Sequence, residues 1–207
     1  MVKEAIILAG GKGIRLKPLT DVVPKSLIMI NNKPLVDYQV EWLKNNGYEK
    51  IILACGYRAD LLKKSLGSSV TYSVEDSPLG TAGAVRRAMK YVQRKDFLVM
   101  NGDIITDLSL KELEKIHKRL SMVLVPMRSP FGIVSEKKGK IVFEEKPKLP
   151  YWINAGIYLI NRSVELPVEG DLEKDVFPRE EIKVYRYEGF WRSIDTFKDI
   201  AEVEKEI

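Results

Sequence analysis

The feature that most constrains this chain is an alternation of short apolar runs with stretches of helical spacing. The runs cover residues 5–8, 51–54 and 97–100, and residues 70–74 read as a further strand. Each is too short for a buried helix and long enough for a buried strand. Between the first two, residues 34–46 carry Leu35, Val36, Val40 and Leu43 at helical spacing and stop at Gly47, a residue suited to a helix C-terminus. Residues 59–66 end in the same way at Gly67, and residues 81–92 form a third helical pattern. This order predicts an α/β fold: a Rossmann-like mixed, mostly parallel sheet with helices on both faces. Residues 109–120 read as another helix, opened by the capping-box pair Ser109 and Glu112. From about residue 120 strand patterns dominate (122–125, 141–144, 153–160 and 182–187), so antiparallel pieces and a second lobe are expected. Gly139, in the lysine-rich stretch 137–140, marks a hairpin turn, and a helix over 196–205 closes the chain. One domain, 1–207, accounts for the whole pattern.

Charge and cysteine content narrow the function classes. Lysine and arginine number 34 against 29 aspartates and glutamates, and the resulting +5 is scattered along the chain. Such an excess solvates a surface and gives a mild field favouring phosphate-bearing small molecules. No basic run interleaves with aromatics, so no nucleic-acid partner is expected. Neither a signal peptide nor a membrane span is legible, so no membrane partner is expected and a cytoplasmic location is the default. Cys55 is the only cysteine, which rules out an intrachain disulfide and reads as a buried small residue. His117, the only histidine, falls in the 109–120 helix pattern and reads as a surface residue.

Chemistry concentrates after the first strand, in Leu8-Ala9-Gly10-Gly11-Lys12-Gly13-Ile14-Arg15-Leu16. Glycines let backbone N–H groups approach a phosphate, and an arginine on such a loop neutralises polyphosphate charge. The spacing matches neither G-x-G-x-x-G nor G-x-x-x-x-G-K-[ST], which disfavours a dinucleotide fold and a P-loop. Pro18-Leu19-Thr20 and Pro24-Lys25 follow, with Lys25 close enough in sequence to Arg15 to face the same site. Asn101-Gly102-Asp103 sits just past the 97–100 strand, where open parallel sheets place ligands. By itself that triplet is equally a turn, and Glu144-Glu145-Lys146 is equally a charged strand end.

Together these motifs closely resemble the signature of sugar-phosphate nucleotidyltransferases, a family that includes mannose-1-phosphate guanylyltransferases and glucose-1-phosphate thymidylyl- and uridylyltransferases. The resemblance continues through Glu75 and Pro78-Leu79-Gly80-Thr81-Ala82-Gly83, then Phe131-Gly132, Glu145-Lys146-Pro147 and Ile153-Asn154-Ala155-Gly156, in order along nearly the whole chain. It implies the nucleotide-diphospho-sugar transferase fold. It also implies an enzyme that joins a nucleoside triphosphate and a sugar 1-phosphate into an NDP-sugar and pyrophosphate with Mg²⁺. Leu8, Ala9, Gly10, Gly11, Gly13, Glu75, Gly80 and Thr81 would bind the nucleotide. Arg15 would stabilise the departing pyrophosphate, Lys25 would contact the phosphates around the reacting phosphorus, and Asp103 would hold the metal, a hard cation suited to carboxylate and phosphate oxygens. Lys146 would grip the phosphate of the sugar phosphate, Glu145 a sugar hydroxyl, and Asn154 with the Gly132 backbone the sugar. By the same resemblance Glu75 reads the base edge. An ionised carboxylate accepts two donors from guanine (N1–H and N2–H₂) but only one from uracil or thymine, which favours GTP.

Two departures stand out. Relatives often carry Trp-x-Asp-x-Gly-Thr, whose aspartate is a second metal ligand; this chain reads Trp191-Arg192-Ser193-Ile194-Asp195-Thr196. Serine replaces the aspartate and Asp195 replaces the glycine, so either Asp195 takes over as ligand or the metal rests on Asp103 and the phosphates. Ile14 also replaces a threonine. Many relatives extend into a C-terminal β-helix, which is not expected here. The competing reading is a regulatory or sugar-nucleotide-binding protein of the same fold without turnover, but the presence of Arg15, Lys25, Asp103 and Lys146 favours the enzyme. The sugar and any homo-oligomer are left open.

Overall fold

The structure, a computed structural model, describes residues 3–207. In chain order its strands are β1 (Glu4–Leu8), β2 (Met29–Ile30), β3 (Lys33–Pro34), β4 (Lys50–Cys55), β5 (Thr71–Val74), β6 (Asp96–Asn101), β7 (Ile104–Thr106), β8 (Leu120–Arg128), β9 (Ile133–Lys137), β10 (Lys140–Glu144), β11 (Lys148–Asn161), β12 (Lys183–Arg186) and β13 (Trp191–Ser193). The α-helices are α1 (Leu19–Val22), α2 (Leu35–Asn45), α3 (Ala59–Leu66), α4 (Gly80–Ala88), α5 (Lys111–Ile116) and α6 (Phe197–Val203).

Seven strands form the central sheet in the order β12-β8-β11-β6-β1-β4-β5. β6, β1, β4 and β5 run parallel to their neighbours in that group, and β12 runs parallel to β8. β11 is antiparallel to both β6 and β8, which makes the sheet mixed but mostly parallel, as expected. The apolar runs of β1, β4 and β6 follow from burial on both faces. Ala5 and Ile7 face a core shared with Val36, Val40 and Leu43 of α2, Leu62 of α3 and Leu113 of α5. Ile6 faces the opposite core, with Ala82, Val85 and Ala88 of α4 and with Leu172 and Val176. Those last two lie on an irregular helical segment, Leu172–Val176, that the sequence reading left out.

Several expectations need correction. The 109–120 helix is only α5, and Leu120 already belongs to β8. Ser109 and Glu112 form no capping box; the Leu110 N–H instead donates to Asn46 Oδ1 at 3.0 Å, from the end of α2. A capping box does exist at α6, between Thr196 and Asp199. His117 is not a surface residue: the backbone leaves the helix there and its side chain is only 7% exposed. Its ring nitrogens lie 2.9 Å from Ser121 Oγ and 3.3 Å from Asp96 Oδ1. Lys138 and Gly139 adopt positive φ at the tip of the β9–β10 hairpin, where the turn was expected. Cys55 is fully buried, and burial pushes its thiol up to about 11. Among the described residues no helix is long and apolar enough to cross a membrane.

Candidate active site

A cavity of about 930 Å³ opens at the C-terminal ends of β1, β4 and β6. Parallel sheets bind ligands at this edge because strand ends and the following loops leave a crevice there. Leu8, Ala9, Gly10, Gly11, Gly13, Arg15, Lys25, Glu75, Gly80, Thr81, Asp103 and Asp195 all line it. Twelve of the sixteen residues expected from the sequence are therefore brought together.

The glycine loop runs from β1 into a 3₁₀ turn, Ile14–Leu16. Gly13 has a φ of 59°, and a Cβ there would sit 2.9 Å from Thr20 and 3.1 Å from Lys25. Glycine at this position thus lets the loop fold down onto Lys25. The glycines of the Pro78–Gly83 motif have a packing reason of their own. A Cβ on Gly80 would lie 2.3 Å from the Gly170 carbonyl oxygen, and one on Gly83 2.5 Å from that of Val168. They let α4 dock against the 166–176 segment, whose Asp171 also lines the cavity.

Charge is concentrated on one wall. Lys25 Nζ donates to Asp103 Oδ2 and to Asp195 Oδ1, both at 2.8 Å. Arg15 donates to the same Asp195 oxygen at 2.7 Å. Asp195 reaches this position because β13 pairs with β7, and the Ile194 N–H donates to the Asp103 carbonyl at 2.9 Å. Ile194 is fully buried, which turns its neighbours outward. Along an extended segment a two-residue displacement keeps a side chain on the same face, so a carboxylate at 195 can serve the side on which Ser193 stands. Glu75 follows β5, and its Oε2 accepts a 3.3 Å bond from the Leu79 N–H. Burial raises its carboxyl pKa above the ordinary value, with the Leu79 N–H and the Arg87 charge opposing the shift.

Gly132, Glu145, Lys146 and Asn154 do not line this cavity. Gly132 lies beside Phe143 and Glu145, and a Cβ there would meet Phe143 at 2.5 Å. Lys146 pairs with Glu202 of α6 at 3.0 Å. Asn154 donates to the Tyr158 hydroxyl at 2.7 Å and accepts from the Gly156 N–H at 2.9 Å. Sequence reasoning missed Lys12, Tyr57, Asp76 and Asp171 in the cavity wall. Tyr57 and Asp76 each follow the end of a parallel strand, and that position was the available signal. Asp171 had none.

The Nucleotidyl transferase family profile matches residues 4–186. The chain belongs to the nucleotidyl transferase family. It is 36% identical to the mannose-1-phosphate guanyltransferase of Yarrowia lipolytica, over 95% of this chain and 61% of that protein. It is also 36% identical to the mannose-1-phosphate guanylyltransferase catalytic subunit beta of Drosophila melanogaster, over 95% of this chain and 60% of that one. The chain thus spans about three-fifths of the length of the curated relatives it matches. The crystal structure of HddC from Yersinia pseudotuberculosis complexed with GMP-PN superposes with a TM-score of 0.81 at 26% identity, covering 99% of both chains.

Proposed function

We propose that this family member transfers a nucleotidyl group, with GTP the favoured donor, onto a sugar 1-phosphate, releasing pyrophosphate. The observation that carries the reading is the convergence of the glycine loop, Arg15, Lys25, Asp103 and Asp195 around one cavity. The relatives named as mannose-1-phosphate guanyltransferases and the neighbour complexed with GMP-PN support both the reaction class and the base. Glu75, half-buried on the cavity wall, supplies a paired acceptor for guanine N1–H and N2–H₂.

A phosphate oxygen of the sugar 1-phosphate forms the new bond to the α-phosphorus. The bond from that phosphorus to the bridging oxygen breaks, and pyrophosphate leaves with the electron pair. The nucleophile is already an anion, so no general base is required. The barrier lies in bringing anions into line, and positioning with charge neutralisation lowers it. Loop N–H groups hold the triphosphate, Arg15 takes charge developing on the leaving group, and Lys25 stays near the reacting phosphorus. Lys146, Glu145, Asn154 and the Gly132 backbone make up the sugar-phosphate side of the reading.

The donor set fits Mg²⁺. Asp103 and Asp195 both reach one cation, the Lys25 ammonium, at 2.8 Å. No group of three or more acidic, histidine or cysteine side chains suited to a metal exists among the described residues. Mg²⁺ keeps waters and substrate phosphates as its other ligands, so one or two carboxylates suffice. Asp103 and Asp195 would hold the ion, which when bound neutralises phosphate charge. The non-catalytic alternative rested on Ser193, and the position of Asp195 weakens that objection.

The test is pyrophosphate release by the purified chain with Mg²⁺, across a grid of nucleoside triphosphates and sugar 1-phosphates. Release with GTP and mannose 1-phosphate, and not with UTP or dTTP, is the expected result. Release only with UTP or dTTP would keep the reaction class and overturn the Glu75 argument. No release from a folded, nucleotide-binding chain would favour the regulatory alternative.

A further inference from the structure

Gln39 sits on α2 among Leu35, Val36, Val40 and Leu43, and is itself only 1% exposed. A buried amide in such company must find hydrogen-bond partners. Its Nε2 donates to the Asn101 carbonyl at 2.9 Å and to the Ile104 carbonyl at 3.0 Å. Both partners are acceptors only, so the NH₂ group must face them and the amide orientation is fixed. Oε1 then points away and has no hydrogen-bond partner among the described residues. The side chain's bonding capacity is thus directed at one place.

That place is the base of the loop presenting Asp103. Asn101 and Ile104 bracket Gly102-Asp103, so the amide closes a clamp across the loop. Two backbone bonds complete the hold: Gly102 N–H to Leu8 O at 2.8 Å and Ile194 N–H to Asp103 O at 2.9 Å. On the α2 side Ile104 is buried in the core that holds Val36, Val40 and Leu43. A cavity of about 220 Å³ lies there, lined by Gln39, Tyr38, Trp42, Ile104 and Ile105. Packing of Ile104 anchors the strand after the loop, and the Gln39 amide ties together the carbonyls on either side of Gly102-Asp103.

We infer that Gln39 is a positioning residue for Asp103. Its two donors keep the Asp103 carboxylate beside Asp195, where the pair can share a divalent cation. The cation part of this inference rests on the proposed function; the clamp itself does not.

The experiment uses Gln39→Met, which keeps length and burial while removing both donors and the orphaned acceptor, with Gln39→Leu as the second variant should the first fold poorly. Two readouts are taken: hydrogen exchange of amides 102–105 against those of β4, and Mn²⁺ affinity with GTP present. The expected result is faster exchange confined to 102–105 and Mn²⁺ binding weakened about tenfold or more, as for other residues that orient metal ligands. Faster exchange in β4 as well would mean general destabilisation and would overturn the inference. So would parental loop exchange with parental Mn²⁺ affinity. Asp103→Ala is the control. If it leaves Mn²⁺ affinity unchanged, the cation reading fails, while the loop exchange still decides the clamp.

Discussion

The parallel half of the sheet and the β9–β10 hairpin use apolar residues in opposite ways. In β1 and β4 nearly every side chain is buried. In the hairpin, Val134, Ile141 and Phe143 are 57%, 70% and 64% exposed. The first region is a frame whose residues are set by packing on two faces. The second is a two-stranded ribbon with little core of its own, and such ribbons contribute little stability alone. The candidate site straddles this line. Arg15, Lys25, Glu75, Asp103 and Asp195 line the cavity at the frame's strand ends, Gly132, Glu145 and Lys146 flank the hairpin strands, and Asn154 lies on β11 of the central sheet. The proposed nucleotide side and the proposed sugar side should respond differently to mutation.

The largest effect is expected on the frame. Lys25→Ala and Asp103→Ala should each lower the rate of pyrophosphate release by about a hundred- to a thousandfold, the scale seen when a preorganised stabilising group is removed from a developing oxyanion. Both should remain folded, because the surrounding strands are held by buried apolar contacts rather than by these ions. Thermal melts beside single-turnover rates check both halves of the claim. A folded variant with near-parental rate would remove that residue from the machinery.

Lys146→Ala should act on the other half alone. We expect KM for the sugar phosphate to rise roughly ten- to a hundredfold, as for loss of one charge-assisted phosphate contact, with KM for GTP unchanged. The lost pair with Glu202 is partly exposed, and exposed pairs contribute little, so stability should barely move. An equal rise in both KM values would break the division into halves.

The legibility of the sequence follows the same boundary. Residues 59–66 were readable as a helix to the residue because Leu62 is buried and Gly67 ends the turn. Burial on two faces likewise made β1, β4 and β6 plain. The helix over 109–120 misled because Ser109 and Glu112 have the right spacing for a capping box, while the actual cap comes from Asn46, a tertiary partner that no local pattern shows. The Leu172–Val176 segment carries few apolar residues at any regular period, so its docking on α4 was invisible, although Gly80 and Gly83 make room for residues 168–171 just before it. Asp195 was legible as an anomaly in a motif. Its convergence with Asp103 on Lys25 depends on the β7–β13 ribbon, whose three-residue strands are too short to read.

Glu75 offers a finer probe of the frame. Burial raises its carboxyl pKa, so it takes up a proton at a higher pH than an ordinary glutamate. The protonated group has one acceptor fewer for the two guanine donors. KM for GTP should therefore rise as pH falls through the region just above the usual carboxylate range, by a few-fold. Sugar phosphates titrate nearby, so Glu75→Gln is the reference: it should flatten the GTP profile and leave the sugar-phosphate profile as it was. Identical profiles for parent and variant would remove Glu75 from base recognition.

The smallest expected effect tests the comparison most directly. Phe143→Ser should change unfolding free energy by no more than about 0.5 kcal/mol, the range for surface substitutions. Leu53→Ala in β4, where Leu53 is fully buried, should lower it by about 2–5 kcal/mol. The Phe143 ring is largely exposed, and it leaves no space for a Cβ on Gly132. Its removal exposes no core. Denaturant melts of the two variants give the ratio. If Phe143→Ser also cost several kcal/mol, the hairpin would be part of the cooperative core, and its exposed apolar residues would need a partner surface to explain them.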